Sequence, residues 1–310
     1  MEYRKLGNSG LIVSEIGLGG NNFGGRADKE ISIDIINHAL EMGVNFIDSA
    51  EMYTEGRCEE IVGQAVKGKR SQFIIATKFG HPATLGPNQR GGSRSYILNA
   101  VDASLRRLNT DYIDLYYIHY PDSETPILET MRTMDELVRI GKVRYIACSN
   151  FAPWQLNDAL WTSKVHNLES FITVQSKYHM LERSIERELV PCCKTHGIGV
   201  IPWGPLASGF LTGKYHRGQE IPSGMRFANP LAIYSDTLTD ANFDKLAKLE
   251  AFANERGHSI GELAISWLLS YPWLGSVIAG AMNIKQLSAN VAATGWTLST
   301  EDKLEIDKLL

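Results

Sequence analysis

The chain has 310 residues, of which 44% are hydrophobic and 21% charged, with a formal net charge of −4. That is the balance of an ordinary globular chain, long enough to bury roughly 75% of its unfolded surface. It offers no basic stripe for nucleic acid or for an anionic membrane. No apolar run approaches a bilayer span, and the N-terminus M-E-Y-R-K-L-G has no hydrophobic signal core, so a cytoplasmic location is expected. Cys58, Cys148, Cys192 and Cys193 show no CxxC spacing and read as reduced thiols.

Residues 6–13 are a turn signal between two short β-prone stretches, which predicts a hairpin. Ile16-Gly17-Leu18-Gly19-Gly20 is a first strand ending in glycines. Helix-like and strand-like runs then alternate. Ile31, Ile35, Ile36, Ala39 and Leu40 lie at helical spacing. Residues 44–47 form a buried strand with Asp48 at its end, and Tyr53 sits at the tip of the loop that follows. A third strand, 73–77, runs into Lys78, and a fourth, 112–118, runs into His119. Further strands end at Ser149-Asn150, at Gln175, near Trp203 and at Gly280, which makes eight. Such alternation implies a parallel sheet, and eight units in about 300 residues fit a (β/α)₈ TIM barrel. No linker or composition shift divides the chain, so residues 1–310 are expected to form one domain. Two long loops, 79–92 and 202–238, follow strands and should lie at the same mouth as the strand-end residues.

Several of these stretches carry a resemblance. F-I-D-S-A-E-M-Y, I-A-T-K-F-G, Y-I-H-Y-P-D, C-S-N-F, P-L-A-S-G-F-L-T-G-K-Y and G-A-M-N-I-K-Q-L-S-A-N occur in that order over nearly the whole chain. Together they resemble the aldo-keto reductases. The resemblance implies that the hairpin closes the bottom of the barrel. It also implies that Asp48, Tyr53, Lys78 and His119 are catalytic, in reversible reduction of aldehydes or ketones to alcohols.

The chemistry of those four side chains is coherent. Carbonyl reduction needs a hydride, which a cofactor supplies, and a proton, which a general acid supplies. Tyr53 is the candidate acid, but a free tyrosine has a pKa near 10. A neighbouring cation would lower it, and Lys78 is placed to be that cation. A buried lysine needs a counter-charge, and Asp48 can provide one. His119 either hydrogen-bonds the carbonyl oxygen or joins the proton path. Taken singly, each residue has an ordinary structural explanation, such as a surface tyrosine or a simple ion pair. Their joint placement at three consecutive strand ends favours the catalytic one.

The glycines of the first strand fail the GxGxxG test, because no helix opens directly behind them. The resemblance implies instead a dinucleotide extended across the barrel mouth. By that resemblance Gly20 and Asn21 border it, Ser149, Asn150 and Gln175 hold the nicotinamide carboxamide, and Trp203 stacks on the ring. Pro205, Leu206, Ser208, Gly209, Leu211 and Lys214 wrap the pyrophosphate. Gly280, Met282, Gln286 and Asn290 meet the adenosine end, where a helix N-terminus suits phosphate. Relatives often carry Arg or Lys at the positions of Met282 and Asn283, where they grip the 2′-phosphate. Arg226 and Lys285 could replace them, so NADP is favoured and NAD is the alternative.

A rival reading is a nucleotide-binding regulatory subunit of the potassium-channel β type, which shares much of this pattern. His119, substituted in those relatives, argues against it, as does a chain that opens at the hairpin with no extension ahead of it. A metal-dependent barrel hydrolase would want several strand-end histidines and carboxylates, and no metal site is expected. The expected partner is a small carbonyl or alcohol. Phe23, Tyr120, Trp154 and Tyr234 are candidate pocket walls, and the short C-terminal stretch implies an open pocket.

Overall fold

Alternation along the strands determines how this molecule is layered. The computed structural model describes residues 1–82, 86, 88–222, 224–228 and 237–310; Tyr234 lies outside them. Two antiparallel strands, β1 (Tyr3–Lys5) and β2 (Ile12–Ser14), form the expected hairpin. Eight parallel strands follow: β3 (Ile16–Gly19), β4 (Phe46–Asp48), β5 (Ile74–Phe79), β6 (Ile113–Ile118), β7 (Val143–Ser149), β8 (Thr173–Lys177), β9 (Gly199–Trp203) and β10 (Val277–Gly280). They pair in chain order, and β10 closes onto β3, giving a closed barrel. The expected (β/α)₈ fold is therefore present.

Helices α1 (Lys29–Glu41), α2 (Arg57–Ala65), α3 (Arg94–Leu108), α4 (Ile127–Arg139), α5 (Pro153–His166) and α6 (Leu189–His196) separate β3 through β9. Helices α7 (Asp240–Glu255) and α8 (Ile260–Leu269) lie between β9 and β10, and α9 (Ile284–Ala292) and α10 (Thr300–Leu309) end the chain. Their ends carry local signals. Asp28 and Ser93 accept hydrogen bonds from Ile31 and Tyr96 at the starts of α1 and α3, and Ser259 and Glu262 form a capping box on α8. None of the described helices is long and apolar enough to cross a membrane.

The buried apolar residues fall into two groups. One lies between the strands and the helices and includes Ile47, Ile75, Tyr116, Ile118 and Cys148. The other fills the barrel lumen with Phe46, Ala76, Leu115, Tyr117, Ala147, Ile201 and Ile278. Leu6, Leu11 and Val13 of the hairpin join the lumen group, so the hairpin plugs the bottom. Full burial of such a side chain stabilises by about 1.5–3 kcal/mol. The lumen is crowded near β3. A Cβ on Gly17 would lie 2.5 Å from Ile278 Cδ1 and 2.8 Å from Phe46 Cδ1, so any larger residue there would force these two side chains to shift.

Successive side chains of a strand point to opposite faces. Phe46 faces the lumen and Ile47 the helices, so Asp48 faces the lumen again. The same parity from Ala76 brings Lys78 inward, from Tyr117 His119, from Ala147 Ser149, and from Ile201 Trp203. These residues form the uppermost inward layer, at the C-terminal mouth.

Candidate active site

Lys78 is the centre of the mouth. Its side chain is completely buried. Its Nζ donates to Asp48 Oδ2 at 2.6 Å, to the Ser49 carbonyl at 2.8 Å and to the Tyr53 hydroxyl at 3.2 Å. An ammonium has three donors and no acceptor, and here each donor has an oxygen. Burial pushes its pKa down, but Asp48 and Tyr53 together outweigh burial and the net direction is upward, so Lys78 is charged near neutral pH. Asp48 uses its second oxygen to accept from Gln175 Nε2 at 2.8 Å.

Tyr53 is held by a tight loop. Ser49 N–H donates to Ala76 O, Glu51 N–H to Lys78 O and Tyr53 N–H to Ala50 O. Thr54 and Glu55 then take left-handed backbone angles, φ 48° and 58°, ahead of α2. That conformation is costly for a β-branched threonine. The Thr54 hydroxyl donates to the Phe23 carbonyl at 2.8 Å and fixes it. Glu51 ties the same loop to its neighbour, accepting from Gly80 N–H at 2.9 Å and from the Tyr96 hydroxyl at 2.5 Å.

The Tyr53 hydroxyl differs from expectation in one respect. Lys78 does pull its pKa down, but burial pushes harder in the other direction, and the pKa rises to about 12. The cation limits the rise rather than producing a net fall. Because Lys78 donates to this oxygen, the hydroxyl hydrogen is left for another acceptor.

His119 is buried, and its Nδ1 lacks a hydrogen-bond partner. Burial, Lys78 and His81 all lower its pKa, to about 2. The ring is therefore neutral at physiological pH. It sits in an aromatic group: Tyr53 at 6.0 Å and His81 at 5.0 Å, both edge-on, with Tyr120 stacked at 5.2 Å between centroids.

The residues expected at the nicotinamide form one network. Trp203 Nε1 donates to Asn150 Oδ1 at 3.1 Å, which fixes the indole plane. Asn150 Nδ2 donates to the His119 carbonyl at 3.0 Å and to Ser149 Oγ at 3.1 Å, and Ser149 Oγ donates to the Gln175 carbonyl at 3.0 Å. Gln175 joins this network to Asp48, to whose Oδ1 its Nε2 donates.

After β9 the chain takes positive φ at Gly204, Ala207, Ser208, Gly209 and Gly213. Leu206 O accepts from Gly209 N–H and from Leu211 N–H. Lys214 Nζ lies over this curl, 2.6 Å from where a Cβ on Gly209 would stand. Pro205 and Leu211 are buried, so only their main chains could meet a ligand. Arg226 donates to Asn22 Oδ1 at 3.4 Å. Burial lowers the pKa of Lys214, and the charges of Arg26 and Arg226 lower it further. Three cations therefore converge here. Arg26 is absent from the sequence reading, although a lone arginine in a glycine-rich strand-end loop is the signal that marks it.

At β10, Gly280 faces Asn21 and Asn22 across the seam with β3: a Cβ there would lie 3.6 Å from Asn21 Oδ1 and 3.3 Å from Asn22 Nδ2. Gly20 N–H donates to Asp48 O. Gln286 accepts from Met282 N–H at 2.9 Å, and Asn290 Nδ2 donates to the Gly280 carbonyl at 3.2 Å. Both amides thus brace their own loop. Of the expected pocket walls, Tyr120 stands beside His119 and Trp154 is exposed, whereas Phe23 is fully buried in the outer core and walls no pocket.

Comparison with known proteins agrees with this geometry. Residues 15–310 match the model of the Aldo/keto reductase family. The chain belongs to that family. It is 40% identical over 302 residues to a probable voltage-gated potassium channel subunit beta of Arabidopsis thaliana, covering 94% of this chain and 91% of that protein. It is 37% identical to the aldo-keto reductase YhdN of Bacillus subtilis (strain 168), covering 100% and 94% of the two chains. It is 34% identical to the L-glyceraldehyde 3-phosphate reductase of Escherichia coli (strain K12), covering 99% and 92%. As an aldo-keto reductase the protein is an oxidoreductase, of a family that uses nicotinamide cofactors on small carbonyl substrates.

Proposed function

We propose that this aldo-keto reductase uses NADPH to reduce an aldehyde or ketone to the alcohol, reversibly, with Tyr53 as the proton donor. The observation that carries the reading is the Lys78 ammonium, whose three hydrogen bonds include one to Tyr53 and leave the tyrosine proton free. The bound cofactor supplies the hydride. Tyr53 donates its proton to the carbonyl oxygen as negative charge develops there. Lys78 stabilises the resulting phenolate, and Asp48 keeps the lysine charged. We read His119, neutral near pH 7, as the orienting group, its ring N–H donating a hydrogen bond to the carbonyl oxygen.

The donor set fits a dinucleotide. We assign Ser149, Asn150 and Gln175, already tied to one another and to Asp48, to the carboxamide end, where Trp203 adds an indole face fixed by Asn150. Lys214 and Arg226 supply positive charge for phosphates, and Arg226 favours the 2′-phosphate of NADP over NAD. We assign residues 1–310 to one catalytic domain and its location to the cytoplasm.

The channel-subunit relatives support a second reading, a nucleotide-binding regulatory subunit with little turnover. A screen of NADPH and NADH oxidation against aldehydes, ketones and sugars separates the two. Turnover with NADPH supports the enzyme. Tight binding without turnover on any carbonyl favours the regulatory subunit.

A further inference from the structure

Glu51 stands two residues before Tyr53, and the proton transfer proposed above makes no use of its side chain. It grips the strand end that carries Lys78 at two points. Its backbone N–H donates to the Lys78 carbonyl at 3.0 Å, and its Oε1 accepts from Gly80 N–H at 2.9 Å. These bonds fall on either side of Phe79, so together they fix the distance and the rotation of the Tyr53 loop against the end of β5. The Tyr96 hydroxyl, from the first turn of α3, donates to the same Oε1 at 2.5 Å and holds the carboxylate in that direction. Tyr96 is itself buried.

A carboxylate is an expensive choice at this place. Burial raises its pKa, and the bonds from Tyr96 and Gly80 oppose the rise. Arg107, whose charge also acts on it, is paired with Glu59 instead. A role in packing alone would be served as well by an apolar side chain, without the desolvation. What the charge adds is stiffness, because hydrogen bonds to a carboxylate are roughly twice as strong as neutral ones. The bond at stake runs from Lys78 Nζ to the Tyr53 hydroxyl. At 3.2 Å it is the longest of the three that the ammonium makes, against 2.6 Å to Asp48 and 2.8 Å to Ser49, and so the first to be lost if the loop drifts. We propose that Glu51 is a positioning residue for proton transfer: its carboxylate clamps the Tyr53 loop to the end of β5 and keeps the Tyr53 hydroxyl in register with Lys78. This rests on the reading of Tyr53 as the proton donor.

Glu51→Ala removes both side-chain bonds and leaves the backbone one. Misplacing a reacting group by about 1 Å can lose 10²-fold, so single-turnover reduction at saturating NADPH should fall roughly ten- to a hundredfold. NADPH affinity should stay close to the parent's, because Glu51 bonds to none of the residues assigned to the cofactor. Glu51→Gln keeps an oxygen at the same reach without the charge, and should recover most of the loss. The comparison that separates positioning from mere structure uses Tyr53→Phe. With the hydroxyl gone there is no acid to align, so adding Glu51→Ala to Tyr53→Phe should slow reduction little further. A structural role would lose the same factor in both backgrounds. Tyr96→Phe gives the same comparison from α3, with a severalfold loss expected only where Tyr53 keeps its hydroxyl. Parent-like reduction in Glu51→Ala, equal losses with and without the Tyr53 hydroxyl, or a Glu51→Gln no faster than Glu51→Ala overturns the clamp and leaves the acid in place. Parent-like chemistry in Tyr53→Phe overturns the acid, and the clamp with it.

Discussion

Asp48→Asn isolates the electrostatic centre of the site. The side chain keeps its shape and can still accept from Lys78, with the Gln175 amide turned over to accept from the new NH2, but the negative charge 2.6 Å from Nζ is gone. Lys78 is fully buried, and its remaining oxygens, the Ser49 carbonyl and the Tyr53 hydroxyl, are neutral. Breaking a buried pair by removing one charge costs about 3–5 kcal/mol. With an amide still accepting a hydrogen bond, about 3 kcal/mol is expected here, a large share of the 5–15 kcal/mol typical of a folded domain. The pH dependence has a definite sign. In the parent, the folded-state pKa of Lys78 lies above the ordinary 10.5. Its contribution is complete below that value and is lost only as pH rises through the folded pKa. In Asp48→Asn, burial acts unopposed by Asp48 and depresses the folded pKa. The folded variant then binds fewer protons than the unfolded one, so its stability rises with pH. Urea unfolding at pH 7 and pH 9 should therefore show the deficit narrowing at pH 9. Asp48→Asn/Lys78→Met should recover much of the loss, because it removes the stranded charge. A deficit below about 1 kcal/mol, or one that widens between pH 7 and pH 9, refutes this account of the pair.

Other outcomes test the neighbouring parts. Arg226→Ala should weaken NADPH binding more than NADH binding in fluorescence titration, because only NADPH offers a 2′-phosphate to a guanidinium; equal losses contradict the NADP assignment. The pH profile of kcat/KM for reduction should show no step between pH 5 and pH 8 that His119→Gln abolishes, since burial, Lys78 and His81 push the His119 pKa down to about 2. It should fall only at alkaline pH, as Tyr53, raised to about 12 in the cofactor-free site, loses the proton it must donate. His119→Gln, which keeps a donor, should retain more activity than His119→Leu; identical losses would remove the orienting hydrogen bond.

Much of the site was legible because strand parity is simple. Asp48, Lys78 and His119 each follow a short apolar run, and the two-residue period carries each into the lumen. The hairpin was legible from its turn signal, and its role as the barrel plug follows from Leu6, Leu11 and Val13 in the lumen core. Side-chain amides were harder to read, because an amide can serve a ligand or a neighbour equally well. Gln175 turns to Asp48, and Gln286 and Asn290 turn to their own loop. The balance at Tyr53 was also hidden. Sequence reveals a lysine within reach, but the sign depends on how completely the hydroxyl is desolvated. Phe23 was misplaced because a loop position says little about which way a ring packs, and this one lies in the outer core.

The most direct test of the mechanism is single-turnover carbonyl reduction by Tyr53→Phe, with NADPH affinity measured alongside. The substitution removes one oxygen and keeps the ring, and Ser149, Asn150, Trp203 and Lys214 are untouched. Affinity should stay close to the parent's, while reduction falls by at least the roughly 10²–10⁴-fold that positioned proton transfer contributes. Lys78→Met should lose the same step, so the double variant should be little slower than Tyr53→Phe alone. Parent-like chemistry in Tyr53→Phe would contradict the assignment of the acid.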